Sequence, residues 1–300
     1  MSATHEFGGN WTDEKLDNIR RYLIEYTKIF TSNEAASTFR TIYVDAFAGT
    51  GVRNSPKDST NIPAPMFQDP EFIDQEAEDI RKGSARVALE LDPGFDQYVF
   101  IEKRQGFVQE LEKLKVSFPG KARKIRIIHG DANEVLQSWC ASTNWKTHRA
   151  VAFLDPYGME VEWQTINALA DTKAVDLWLL FPLGQAVNRL LTRNGPPDGI
   201  WADKLTRMFG TSDWRDAFYK PRTQMSLFDD EEALEKIADF DMIGSFFVQR
   251  LKKSFAGVAE NPRPLSNSKN VPIFLLCFAS ANPKGAPTAV RIAQHILRMH

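Results

Sequence analysis

YVDAFAGTG, residues 43–51, runs an apolar, β-branched segment into an acid, an aromatic and two glycines. Extended backwards to Thr41 it reads TIYVDAF, a strand-length run that Gly49 and Gly51 stop. A glycine turn after a buried strand is where many folds bind phosphates, so its exact spacing matters. A P-loop needs GxxxxGK followed by Ser or Thr, and no lysine follows Gly51 at that distance. A dinucleotide loop needs GxGxxG, whereas Gly49-Thr50-Gly51 continues into Val52, Arg53 and Asn54. What remains is Asp-x-Phe-x-Gly-x-Gly, an acid and a close-approach backbone without a phosphate cradle.

The chain around this loop alternates. Thr12-Asp-Glu opens a capped amphipathic helix carrying Leu16, Ile19, Tyr22, Leu23, Tyr26, Ile29 and Phe30. Downstream, QYVFIEK, KIRIIHGD, AVAFLDPYG and AVDLWLLFPLG read as strands. The helices GFVQELEKLKVSF, ANEVLQSWC, WQTINALAD and QAVNRLLTRN follow them in turn. Apolar strands alternating with helices predict a parallel sheet covered on both faces. Near the end, VPIFLLCFASA is a further strand, AGVAENPRPL a weaker one pairing with it, and APTAVRIAQHILRM a closing helix.

Two segments interrupt the alternation. Residues 53–82, with Pro56, Pro63, Pro65 and Pro70, read as an irregular insertion or lid before Ser84, which caps SARVALEL. Residues 195–255 read as a helical insertion after the fifth strand, with a polar break at 221–230 and a longer helix over 231–255. The whole is expected to be one domain spanning residues 1–300. It is an α/β, three-layer Rossmann-like sandwich of seven mostly parallel strands, with an antiparallel strand near the C-terminus.

Bulk composition excludes some functions. A net charge of −2 over 300 residues is not that of a protein that coats nucleic acid, although a local basic groove stays open. Cys140 and Cys277 form no metal-ligand pair and suit a reducing compartment. No apolar run reaches the ~20 residues that span a bilayer, and Met1 leads into polar residues, so the expectation is a cytoplasmic protein without membrane contact. The histidines His5, His129, His148, His295 and His300 show no metal spacing.

In open α/β sheets ligands sit at the carboxyl ends of strands. Here those ends carry Asp45 with Gly49 and Gly51, then Glu102, Asp131 and Asp155. Each alone also suits a turn or a helix cap, Asp131 before ANEVLQSWC above all. Four successive strands ending in a carboxylate form a pattern, and the acid ending the first suits a cationic amino-acid moiety better than phosphates. S-adenosylmethionine, with its ammonium, sulfonium and ribose, fits that chemistry.

The residues match the class I S-adenosylmethionine-dependent methyltransferase pattern. VDAFAGTG, FIEK and HGDAN, with GSARVAL, FLDPYG and LWLLFPLG, resemble more specifically the three-Cys-motif partner (TcmP) family. The likeness runs from the first helix to FASANPKGAPTA. It implies the methyltransferase fold and bound S-adenosylmethionine. It also implies a protein partner with a three-cysteine motif. Asp45, Phe47, Gly49 and Gly51 would hold the methionine part, Glu102 the ribose, and Asp131 and Ala132 the adenine. The step from loop to Glu102 exceeds the usual ~20 residues, and residues 53–82 account for the excess.

FLDPYG resembles the Asp-Pro-Pro-Tyr motif of methyltransferases acting on amino groups of nucleic-acid bases. The resemblance implies that Asp155 accepts a hydrogen bond from an exocyclic amine, Pro156 orients a carbonyl, and Tyr157 stacks on a flipped base. Tyr157 replaces the second proline and Gly158 stands where the aromatic would be. A tight turn with Asp155 as a cap is the other reading. Trp201 and Trp214 are further candidates for lining a substrate site. The basic run Lys121, Arg123, Lys124 and Arg126 reads as a solvated sheet edge. Two other functions stay open: a non-catalytic partner subunit on the same fold, and methylation of a protein or small molecule. The oligomeric state is also open.

Overall fold

The computed structural model describes residues 10–49, 83–222, 234–267 and 269–299. The stretch 53–82 and Gly51 lie outside them, as do residues 223–233 of the helical insertion. The first half alternates: α1 (Asn10–Ser32), β1 (Arg40–Asp45), α2 (Ser84–Leu89), β2 (Gln97–Glu102), α3 (Gln105–Ser117), β3 (Ile125–His129), α4 (Ala132–Ser142) and β4 (His148–Leu154). Then come α5 (Trp163–Asp171), β5 (Val175–Phe181), α6 (Gly199–Phe209), α7 (Trp214–Phe218), β6 (Tyr219–Pro221) and β7 (Leu234–Lys236). The chain closes with α8 (Phe240–Ser254), β8 (Gly257–Val258), β9 (Arg263–Ser266), β10 (Pro272–Ser280) and α9 (Ala286–Leu297).

The sheet runs β3-β2-β1-β4-β5-β10-β8. Its first five strands are parallel, and β10 enters antiparallel beside β5. Chain order therefore reverses between β1 and β4, which opens a crevice above their carboxyl ends. The expected seven strands are met in width, with one refinement at the edge. Leu275 and Leu276 pair with β5 on one side and β9 on the other, while Ala279 and Ser280 pair with β5 and β8. The weak strand read in AGVAENPRPL is thus two short strands, end to end along β10.

Both faces of the sheet are buried, because side chains alternate with period two. Ile42, Val44, Ala150, Ala152, Leu154, Leu177 and Leu179 point to one core with Leu136, Ile166, Leu205 and Phe247 of α4, α5, α6 and α8. Tyr43, Val151, Phe153, Trp178 and Leu180 point to the other, with Ile19, Tyr22 and Leu23 of α1 and Ala293 and Ile296 of α9.

Three local expectations are corrected. The first helix begins at Asn10, so Thr12 lies inside it. QAVNRLLTRN is not a full helix: a π-turn, Leu183–Val187, passes into one turn, Asn188–Leu190, and the chain extends from Leu191. Its carbonyls find partners in a hairpin that the sequence reading missed. Tyr219 Oη donates to the Thr192 carbonyl, Lys236 N–H to the Arg193 carbonyl, and Lys236 Nζ to Asn188 Oδ1. The helix read over 231–255 is shorter, since β7 occupies Leu234–Lys236 and Asp239 caps α8 through Met242 N–H at 2.8 Å.

Gly184, where β5 turns out of the sheet, meets β10 directly. A Cβ there would lie 2.1 Å from the Pro272 carbonyl oxygen, which is backbone and cannot swing away. Gly184→Ala is expected to destabilise by about 2–3 kcal/mol, a fall in melting temperature on the order of 5 °C. Thermal denaturation followed by circular dichroism checks this, and a melting temperature within ~1 °C of wild type contradicts the close approach.

Candidate functional site

At the end of β1 the backbone is tied to both neighbouring strands. Ala46 N–H donates to the Phe153 carbonyl of β4, and Ala48 N–H to the Ile101 carbonyl of β2. Gly49 then turns left-handed, at φ 58°, a conformation that favours glycine. Its N–H donates to Glu102 Oε2 at 3.0 Å. Glu102 Oε1 accepts from Arg104 N–H at 2.8 Å, so one buried carboxylate fixes the loops after β1 and β2. Each oxygen keeps a further lone pair for a ligand.

Beyond β3, Asp131 is the N-cap of α4, accepting from Asn133 N–H at 3.0 Å. Lys103 Nζ approaches its other oxygen at 3.1 Å. Partial burial pushes the Asp131 carboxyl up, but the Lys103 ammonium and the helix N–H groups outweigh it and hold the group below the usual carboxylate value.

These strand ends frame a cleft of about 530 Å³, within the usual ~300–1,000 Å³ range of small-molecule sites. Of the residues read from the sequence, Phe47, Glu102, Asp131, Ala132 and Tyr157 line it. Asp45, Gly49, Asp155 and Pro156 do not, and all four are buried. The far wall comes from α6 through Lys204 and Arg207. A groove of about 590 Å³ between α1 and α9 contains no strand-end residue, so the strand-end cleft is the better candidate.

Several contributors were missed. Asn133, inside the quoted HGDAN, clamps the loop after β4: Nδ2 donates to the Glu160 carbonyl at 2.8 Å, and Oδ1 accepts from Glu162 N–H at 3.0 Å and the Thr165 hydroxyl at 2.8 Å. Arg104 lays its guanidinium 4.8 Å over the Tyr157 ring. Only its position after a strand-end acid hints at this. Trp214 is fully buried and Trp201 is exposed, and neither lines the cleft. His129 contacts the Lys103 carbonyl at 2.9 Å.

Behind the cleft lies a buried charged layer. Asp155 is not a free carboxylate: Lys15 of α1, fully buried, places Nζ 2.6 Å from its Oδ2. Nothing in the spacing of the sequence marks Lys15 as its partner. Ser84 is not the expected cap, since Gly83 holds that position. Its hydroxyl instead donates to Asp45 Oδ2 at 2.6 Å. Burial pushes the Asp45 carboxyl up to about 7, against the lowering effect of Ser84, with Asp155 adding repulsion and Lys15 attraction.

The cleft is lined by five carboxylates (Glu102, Asp131, Glu134, Glu160, Glu162) against four cations (Lys103, Arg104, Lys204, Arg207). That balance suits a cationic ligand better than a polyanion. Among the described residues no cluster fits a metal ion, and no helix is long and apolar enough to cross a membrane.

Comparison with known proteins gives a likeness of fold. No family model matches the chain, and no curated protein matches it in sequence. The Legionella pneumophila protein LPL1258, which carries the family label DUF519, superimposes with a TM-score of 0.50 at 13% identity, covering 96% of this chain and 92% of its own. The fold is shared. Weaker superpositions include magnesium protoporphyrin IX methyltransferase (ChlM) from Synechocystis PCC 6803 with bound SAH, at TM-score 0.37, 11% identity and 90% and 84% coverage. Spermidine synthase from Thermotoga maritima follows at 0.39, 9%, 91% and 60%.

Asp45 makes stability depend on pH. The unfolded chain releases this proton near the ordinary value of 3.8 and the folded chain near 7, so stability falls as pH rises between them. Asn at position 45 has no such proton. The melting-temperature difference between Asp45→Asn and wild type is therefore expected to move in favour of the variant from pH 5 to pH 8, by the equivalent of a few kcal/mol. A constant difference across that range contradicts the buried, proton-holding carboxyl.

Proposed function

We propose that the chain is an S-adenosylmethionine-dependent methyltransferase whose acceptor is an amino group, with a nucleic-acid base as the leading class. The observation that supports it most is the tie from Gly49 N–H to Glu102. It ties a buried, left-handed glycine turn to an acid with spare lone pairs that lines the cleft, at the switch point of a parallel sheet. The resemblance to the TcmP family, and with it a three-cysteine partner, belongs to the same proposal.

Glu102 would accept from the ribose hydroxyls. Phe47 would border the methionine part, with the backbone of residues 46–49 behind it, and Asp131 and Ala132 would border the adenine. The excess of carboxylates favours the cofactor's positive charge. When bound, S-adenosylmethionine supplies an activated methyl group. The protein's task is then orientation, since displacement at carbon needs in-line approach. Asp155 would accept an N–H of the acceptor amine, the Pro156 carbonyl would accept a second, and Tyr157, braced by Arg104, would cover the acceptor ring and exclude water.

The same excess of carboxylates favours a second reading, an amine on a protein or small molecule. Tritiated methyl transfer to single-stranded oligonucleotides that falls steeply with added salt supports a nucleic acid; salt-insensitive transfer to protein supports the alternative.

Glu102→Gln keeps the side chain's shape and removes its charge. Isothermal titration is expected to show S-adenosylmethionine bound about 10–30-fold more weakly by this variant than by wild type. Equal affinities, in two proteins of equal melting temperature, remove Glu102 from the site.

A further inference from the structure

We infer that Lys15 is a positioning residue of the acceptor site: it holds Asp155 by one carboxylate oxygen and leaves the other to the acceptor's N–H. This rests on the proposed methyl transfer to an amine. Lys15 comes from the first helix, 140 positions before Asp155, yet its Nζ reaches Oδ2 at 2.6 Å. The ammonium is fully buried, 5.6 Å from the Phe153 ring centroid, and the Asp155 side chain keeps 6% exposure. Among the described residues Lys15 is the ion-pair partner of that carboxylate.

Stability explains the pair poorly. Desolvating two charges costs several kcal/mol per ion, and hydrophobic replacements of buried pairs are often neutral or stabilising. Asn18, one turn along α1, is also fully buried, and neither atom of its side-chain amide has a hydrogen-bond partner among the described residues. Left unsatisfied, such a group costs about 1–3 kcal/mol. Lys15 and Asn18 thus put two fully buried polar side chains on one face of α1.

The pairing has a chemical consequence. An acceptor nitrogen attacks through its lone pair, which a hydrogen bond from its N–H to a carboxylate aims along a fixed direction. A carboxylate free to rotate does not fix that direction, whereas one pinned at Oδ2 does.

The test compares wild type, Lys15→Met and the double variant Lys15→Met/Asp155→Leu. It measures transfer of tritiated methyl from S-adenosylmethionine to single-stranded oligonucleotides and to protein extract, with cofactor affinity and melting temperature alongside. The inference expects Lys15→Met to lose at least 100-fold in kcat with KM and Kd for S-adenosylmethionine within about twofold, while the double variant melts at or above wild type and is inactive. Wild-type turnover in Lys15→Met overturns it. So does a double variant whose melting temperature drops by more than about 5 °C, which would make the pair structural. A wild-type chain that binds the cofactor and methylates neither pool overturns the proposed activity, and this inference with it.

Discussion

The hydrogen bond from Gly49 N–H to Glu102 Oε2 is the point on which the cleft depends. It joins the turn after β1 to the end of β2, while Ala46 N–H joins the same turn to β4. The loop is thereby held across three adjacent strands at the place where chain order reverses. A free glycine loop would sample many conformations, and ordering it costs roughly 1–2 kcal/mol per residue. Here a buried carboxylate and strand-end carbonyls bear that cost before any ligand arrives.

A second layer lies under α1. Lys15 meets Asp155 near the cleft, and Tyr22 Oη donates to Asp176 at 2.7 Å toward the start of β5. Burial raises the Asp176 carboxyl to about 6, opposed by the hydrogen bond from Tyr22 and the nearby Arg149. The first helix therefore carries two buried polar contacts, through Lys15 and Tyr22, into a core that it shares with Tyr43, Phe153, Trp178 and Phe278. Its Lys15 end meets the loop that carries Tyr157, and that links the N-terminal helix to the cleft.

Much of the fold was legible because its signals are local. Strands such as VAFL and LWLLF are continuous apolar runs, as buried parallel strands must be, and their acids mark the carboxyl ends. The antiparallel β10 was legible for the same reason. The hairpin of β6 and β7 was not, because three-residue strands carry no periodicity. The truncated helix after β5 was not legible either, because the extended chain that replaces it bonds to Tyr219 and Lys236, residues far along the sequence. At the site, Glu102 and Asp131 stand out as strand-end acids. Lys15 and Asn133 do not, because a lysine in an amphipathic helix and an asparagine at a helix start each have an ordinary local explanation.

The most direct test of the account is a crystal structure grown with S-adenosylmethionine. The account places the ribose hydroxyls within about 3 Å of Glu102, with the adenine beside Asp131 and Ala132. Cofactor density in the groove between α1 and α9, or a strand-end cleft left empty at millimolar cofactor, would contradict it.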